Sequence, residues 1–428
     1  MWGMCGTRGK RRAGALGLAL GLALAVAAPS VAADTTWRVT KDRWTEEDEK
    51  GYSAFVQGFG ESDCATPAEC FRSSANPYRN TDPPGLWLRA DCADLIYLMR
   101  AYYAWKIGLP VSYAVSFTPR EGGGGDIRFN LSGNRIVARR DVKTGANAVE
   151  VLRAIPDQVS SATFRVSYLF DRGQETSDFY SPKIGRDTIR PGTVIYDING
   201  HVAIVYKVED DGRVLYLDAH PDQTLTRSAF GAQFSRGDPA LGSGFKNFRP
   251  IELTGATRRG DGVLVGGRIE IASNGQIAEF GTEQFLGNQP DPSGDWHKGK
   301  FIHDNVEVKF YEFTRLKMSN GTLVYNPVYE LRASMRSICG DLKDRVMAVD
   351  MSIKAGIHRK DQPGRLPDNI YGTTSMEWEI YSTPSRDARL KTRFVELHND
   401  LAHLIDLYLK RDKRVSYEGL NLKQDLLN

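Results

Sequence analysis

Three short β-rich runs, Thr193–Asp197, His201–Val208 and Arg213–Asp218, are separated by Asn199-Gly200 and Asp211-Gly212. Both dipeptides favour the positive-φ backbone of tight hairpin turns, so the runs must return antiparallel. A chain carrying this meander has an antiparallel sheet as its scaffold. Counting back from Asp211-Gly212 brings the end of the third run, Asp218, alongside the start of the second, His201. An acid is thereby set beside a histidine at one end of two adjacent strands.

Helical signals flank the meander, which makes the expected class α+β. Thr45 with Asp48 three residues on is a capping pattern for a helix after Trp44. A stronger helix runs from Asp91 to Lys106 and is stopped by Gly108 and Pro110. Val111–Phe117 reads as a strand, and Ile127–Arg139 as a hairpin turning at Ser132-Gly133-Asn134. A short helix follows at Asn147–Ile155. Residues 241–300, rich in Gly and Pro, read as a linker with a hairpin at Val263–Phe280. Helical periodicity then dominates 301–428, with stretches at Pro327–Met351 and Asp387–Lys410. In the second, Leu390, Phe394, Leu397, Leu401, Leu404 and Tyr408 share one apolar face. Arg236-Gly237-Asp238 and Arg259-Gly260-Asp261 are read as loop turns and given no adhesive role.

The first 33 residues predict an export signal. Arg8, Lys10, Arg11 and Arg12 precede an apolar run from Ala13 to Ala28, and Val31-Ala32-Ala33 offers small residues for cleavage. No later stretch is apolar enough to span a membrane, so none is expected once the signal is removed. An oxidising compartment gives the cysteines meaning. Cys5 leaves with the signal. Cys64 and Cys70 lie close enough in a loop to bridge, which makes 34–74 an N-terminal helix and disulfide loop. Cys339 lies beside an apolar helical stripe and reads as a buried, inert thiol. Cys92 is left over. Hydrophobic residues at 41 % and charged residues at 25 % exclude a disordered chain. The net charge of +3 comes largely from the basic leader, so the rest is near neutral and suggests no nucleic-acid partner.

In Asp91-Cys92-Ala93-Asp94-Leu95, Asp91 is an N-cap and Cys92 falls in the first helical turn. Free backbone N–H groups and the helix dipole there favour a thiolate and could hold an oxyanion. Asp91 and Asp94 oppose ionisation, so a partner base is needed. His201 supplies it, and Asp218 can orient the imidazole. His220 is a second candidate for that orienting place. His297, His303, His358, His398 and His403 show no ligand spacing, and no metal or cofactor is expected.

These residues resemble the papain-like clan of bacterial cell-wall cysteine hydrolases, the NlpC-type and CHAP families. Asp91-Cys92-Ala93-Asp94-Leu95 is similar to their nucleophile motif, though Asp94 stands where a Gly is usual. Pro191-Gly192-Thr193-Val194-Ile195 resembles the Pro-Gly-Asp strand, with Thr193 for Asp. Gly200-His201-Val202-Ala203-Ile204-Val205 is close to the histidine strand. The resemblance covers about residues 75–222. It implies a papain-like catalytic domain over 75–240 and a Cys92–His201–Asp218 triad. Tyr78 would lie on the oxyanion side, and the substrate would be a peptidoglycan or other envelope amide. Two alternatives stay open: a binding or scaffold protein without catalysis, and transglutaminase-like acyl transfer.

Overall fold

The computed structural model describes residues 34–361 and 383–427, apart from 123, 124 and 322. The leader assigned to 1–33, with its Cys5, lies outside these residues. Helix α1 (Glu46–Glu61) starts on the reciprocal cap expected: Thr45 accepts from the Asp48 N–H, and Asp48 from the Thr45 N–H. The short α2 (Pro67–Arg72) carries one end of the Cys64–Cys70 disulfide. Helix α3 (Cys92–Ile107) is apolar on nearly every side and buried along most of its length. Gly108 ends it at φ 75°, a conformation that costs a residue with a Cβ.

Strands β1 (Val111–Pro119) and β2 (Asn134–Val142) pair with each other. Helices α4 (Ala148–Gln158) and α5 (Ser161–Phe164) follow. Then come β3 (Phe179–Tyr180), β4 (Val194–Tyr196), β5 (Val202–Val208), β6 (Val214–Ala219), β7 (Leu225–Ala229) and β8 (Gly244–Phe248). These six build one antiparallel sheet in the order β3-β8-β4-β5-β6-β7. Gly200 and Gly212 take positive φ in the two turns of the meander. Alternation along the strands divides the core. Val202, Ile204, Leu217 and Ala219 pack with α1 and α3. After the short α6 (Glu283–Leu286) comes α7 (Phe310–Met318), whose Phe310, Phe313 and Leu316 pack with Ile195, Ala203 and Val205. Two long helices, α8 (Pro327–Lys354) and α9 (Thr383–Leu409), pair with each other, and α8 lies against β7.

The α+β class is thus present, with four departures from the expected elements. Residues 127–129 form a 3-10 turn rather than a strand. The Asn134 side chain ties that loop down by donating to the Ile127 and Ala162 carbonyls, so β2 runs back along β1. Residues 241–300 are not a linker. They supply β8, which sits between β3 and β4, and Phe245 fills the second core. The hairpin comprises Ile251–Arg258 and Leu264–Ile271 and turns at Gly260–Gly262, earlier in the chain than Val263–Phe280. The region after Phe301 is mainly helical but opens on a strand pair, Phe301–His303 with Val306–Val308.

Candidate active site

Cys92 is the first residue of α3. The Asp91 carboxylate accepts from the N–H groups of Ala93 at 3.0 Å and Asp94 at 3.3 Å, and Asp94 accepts from the Asp91 N–H at 3.1 Å. This capping box occupies two first-turn donors and leaves the Cys92 N–H for an oxyanion. The thiol is half-buried and is the free cysteine among the described residues. Its acidity departs from expectation. Burial and then Asp91 push it well above the usual thiol range, and the Val202 backbone N–H pulls only weakly the other way. The helix terminus does not overcome the loss of water around sulfur. Burial and Asp91 also push the Asp94 carboxyl up to about 9, so it is protonated at neutral pH.

His201 immediately precedes β5, one residue before the Val202 that meets the thiol. Its Nε2 lies 2.6 Å from Asp218 Oδ2. Burial alone would raise the Asp218 carboxyl, but His220, His201 and Thr226 outweigh it and hold the group below the usual carboxylate range. An anionic Asp218 can only accept, so Nε2 carries the proton and the Nδ1 lone pair is left for another partner. The Thr226 hydroxyl also donates to Asp218. His220 Nε2 lies 3.6 Å from the same carboxylate and 3.2 Å from Thr226 Oγ1. Its ring stacks parallel to that of His201 with centroids 5.9 Å apart. Burial lowers its proton affinity well below the ordinary range, so it flanks the pair as a neutral ring.

The structure brings His201, Asp218 and His220 together, with Cys92 reaching them through Val202. No hydrogen bond joins the Cys92 thiol to His201 among the described residues. Tyr78 is not at the site. Its ring packs between Phe55 and Tyr103, and its hydroxyl hydrogen-bonds that of Tyr103. Tyr103 lies about 16 Å further along α3 than Cys92 at 1.5 Å rise per residue. Aromatic packing on α1 and α3 claims Tyr78 instead. Cys339 is also corrected: it is half-buried and disulfide-bonded, not an inert free thiol.

The Cys64–Cys70 bridge supports the far edge of the site. Arg227 of β7 donates to the Cys64 carbonyl, and the Leu225 N–H to that of Ala65. Sequence reasoning missed Thr226, although strand alternation places it opposite Asp218. It also missed the arginines of α9, which lie beside the apolar stripe rather than on it. A cavity of about 120 Å³ is lined by His201, Asp218 and His220 together with Asp341 of α8 and Arg386 and Arg393 of α9. Among the described residues, no three His, Cys, Asp or Glu side chains group as metal ligands, and no helix is long and apolar enough to cross a membrane. No family model matches the chain, and searches of curated proteins and of solved structures find no match.

Proposed function

We propose that this chain is an exported cysteine hydrolase of amide or peptide bonds on a papain-like fold, acting on peptidoglycan or another envelope component. One observation carries the reading. A histidine held through Nε2 by a buried, anionic Asp218 adjoins the residue whose N–H meets the only free thiol described. The basic-apolar-small leader supports export.

The raised thiol dictates the order of events. Cys92 rests as a neutral thiol, so His201 acts as a general base rather than as one half of a standing ion pair. Substrate entry brings the imidazole and thiol into contact. Nδ1 takes the proton as Sγ attacks the carbonyl carbon, and the oxyanion is met by the Cys92 N–H. Asp218 stabilises the imidazolium. The imidazolium returns its proton to the leaving nitrogen as the C–N bond breaks, leaving a thioester. Water, deprotonated by His201, attacks the thioester and releases a carboxylic acid and the thiol.

Incubation with purified peptidoglycan, followed by mass spectrometry of the soluble products, tests this. Release of new amine and carboxyl ends is expected, abolished in Cys92→Ala and His201→Ala. Asp218→Asn should keep only a trace of activity, on the order of 10⁴-fold down, because an amide neither stabilises the imidazolium nor holds the general-base tautomer. A second reading, binding without turnover, is favoured by the raised thiol and the missing Cys92–His201 hydrogen bond. Retention on peptidoglycan with no product, equal in wild type and Cys92→Ala, would establish it in place of the first.

A further inference from the structure

The cavity over His201 and Asp218 carries more than the triad needs. Its walls include Arg386, whose side chain is 7 % exposed. Arg386 gives Nη2 to Asp222 at 2.8 Å and to Thr224 at 3.0 Å, and its buried Nε has no acceptor among the described residues. Arg345 on the same wall gives Nε and Nη2 to Asp387, and its buried Nη1 has no acceptor among the described residues. Gln233 lines the same cavity, and its buried Oε1 has no donor among the described residues. Two guanidinium groups with an unused donor and one amide with an unused acceptor thus belong to side chains that line one space. Buried groups of this kind are normally met by a partner. The complementary ligand bears an anionic acceptor that guanidinium groups favour, together with an N–H. A carboxylate next to an amide has both.

We infer that this cavity is a subsite for a carboxylate-bearing amide, and that it holds the leaving-group side of the substrate. The side follows from the chemistry, and so rests on the hydrolase reading above. The cavity borders the imidazole, which protonates the departing nitrogen, and Cys92, which holds the acyl part, is not in its wall. The product released first would then be an amine that also carries a carboxylate, such as an amino acid or a peptide end. Asp218 and Asp341 do not compete for the arginines that are open, since His201 and Thr226 engage the first and Arg393 the second. Asp344 lies on the wall as well and weakens an anion's hold, so the probe is used at millimolar concentration.

The test is calorimetric titration of the full-length Cys92→Ala chain with glutarate and with its neutral counterpart glutaramide. Glutarate should bind at least tenfold more tightly. Arg345→Gln and Arg386→Gln should each weaken glutarate at least tenfold and leave glutaramide unchanged. Equal binding of the two probes, no binding to folded protein, or full affinity in both arginine variants would overturn the proposal. Arg386 sits in a buried ion pair, so melting curves accompany each titration. If Arg386→Gln fails to fold, the Arg345→Gln result decides. Glutarate binding with no peptidoglycan hydrolysis by wild type would sink the hydrolase reading and keep the subsite. Hydrolysis with no preference for glutarate would do the reverse.

Discussion

Asp218 is the residue on which the site's electrostatics turn. It is buried, yet its carboxyl is held below the ordinary range, because two imidazoles and the Thr226 hydroxyl face it. A depressed folded pKa means stability that is present above the unfolded value near 3.9 and lost as pH falls through the folded one. Asp218→Asn should therefore cost about 1–3 kcal/mol at pH 7, the scale of a buried charged hydrogen bond. The difference from wild type should shrink as the pH is lowered below about 4. Thermal melts from pH 2 to 8 check this, and parallel curves would show that Asp218 does not carry the charge. Proximity of Asp218 to His201 was legible in the sequence because the Asp211-Gly212 turn sets the two strands antiparallel, although a bulge between Val205 and Lys207 shifts the register itself. The misplacement of Tyr78 has the opposite origin. Its position came from a resemblance, and no local pattern in the chain ties that loop to the start of α3.

At the scale of elements, the first turn of α3 does two jobs that conflict. Its capping box fixes where the helix begins and so where Cys92 stands, but it sets two carboxyls around the thiol. Asp94 answers by remaining protonated, with its pKa pushed up to about 9. A raised folded pKa reverses the sign of the linkage. Between about 3.9 and 9 the folded state binds a proton that the unfolded state does not, so stability falls as pH rises. Asp94→Asn, which can still accept from the Asp91 N–H, should raise the melting temperature at pH 8 by a few degrees, on the order of 1–2 kcal/mol. At pH 4 it should leave the melting temperature nearly unchanged. A variant less stable than wild type at pH 8 would mean that Asp94 is ionised. Helix starts and stops were readable because caps and Gly108 act within four residues. The hairpin after β8 was displaced although its Asp261-Gly262 turn was in view. The apolar face expected on α9 holds at Leu404, which is buried, but not at Phe394, which is 50 % exposed. There the helix turns Arg386 and Arg393 to the sheet instead, and periodicity alone cannot say which neighbour a helix will meet.

At the scale of the whole molecule, the site is assembled from parts distant in sequence. Helix α3 brings the thiol, the β4–β6 meander the imidazole and carboxylate, the disulfide loop an edge support, and α8 with α9 the roof. Residues after 301 are therefore part of the site's walls, which no local sequence signal announced. The account stands on whether the thiol and the imidazole, not hydrogen-bonded at rest, act together. The pH dependence of Cys92 alkylation by iodoacetamide measures this with no knowledge of the substrate. Wild type should show two limbs, one near neutral pH where the imidazole accepts the thiol proton and one at high pH for the unaided thiol. His201→Ala should keep only the second and react at least about a hundredfold more slowly at pH 7.5, the low end of general-base effects. Superimposable profiles for wild type and His201→Ala would show that the two residues are not coupled, and would contradict the hydrolase.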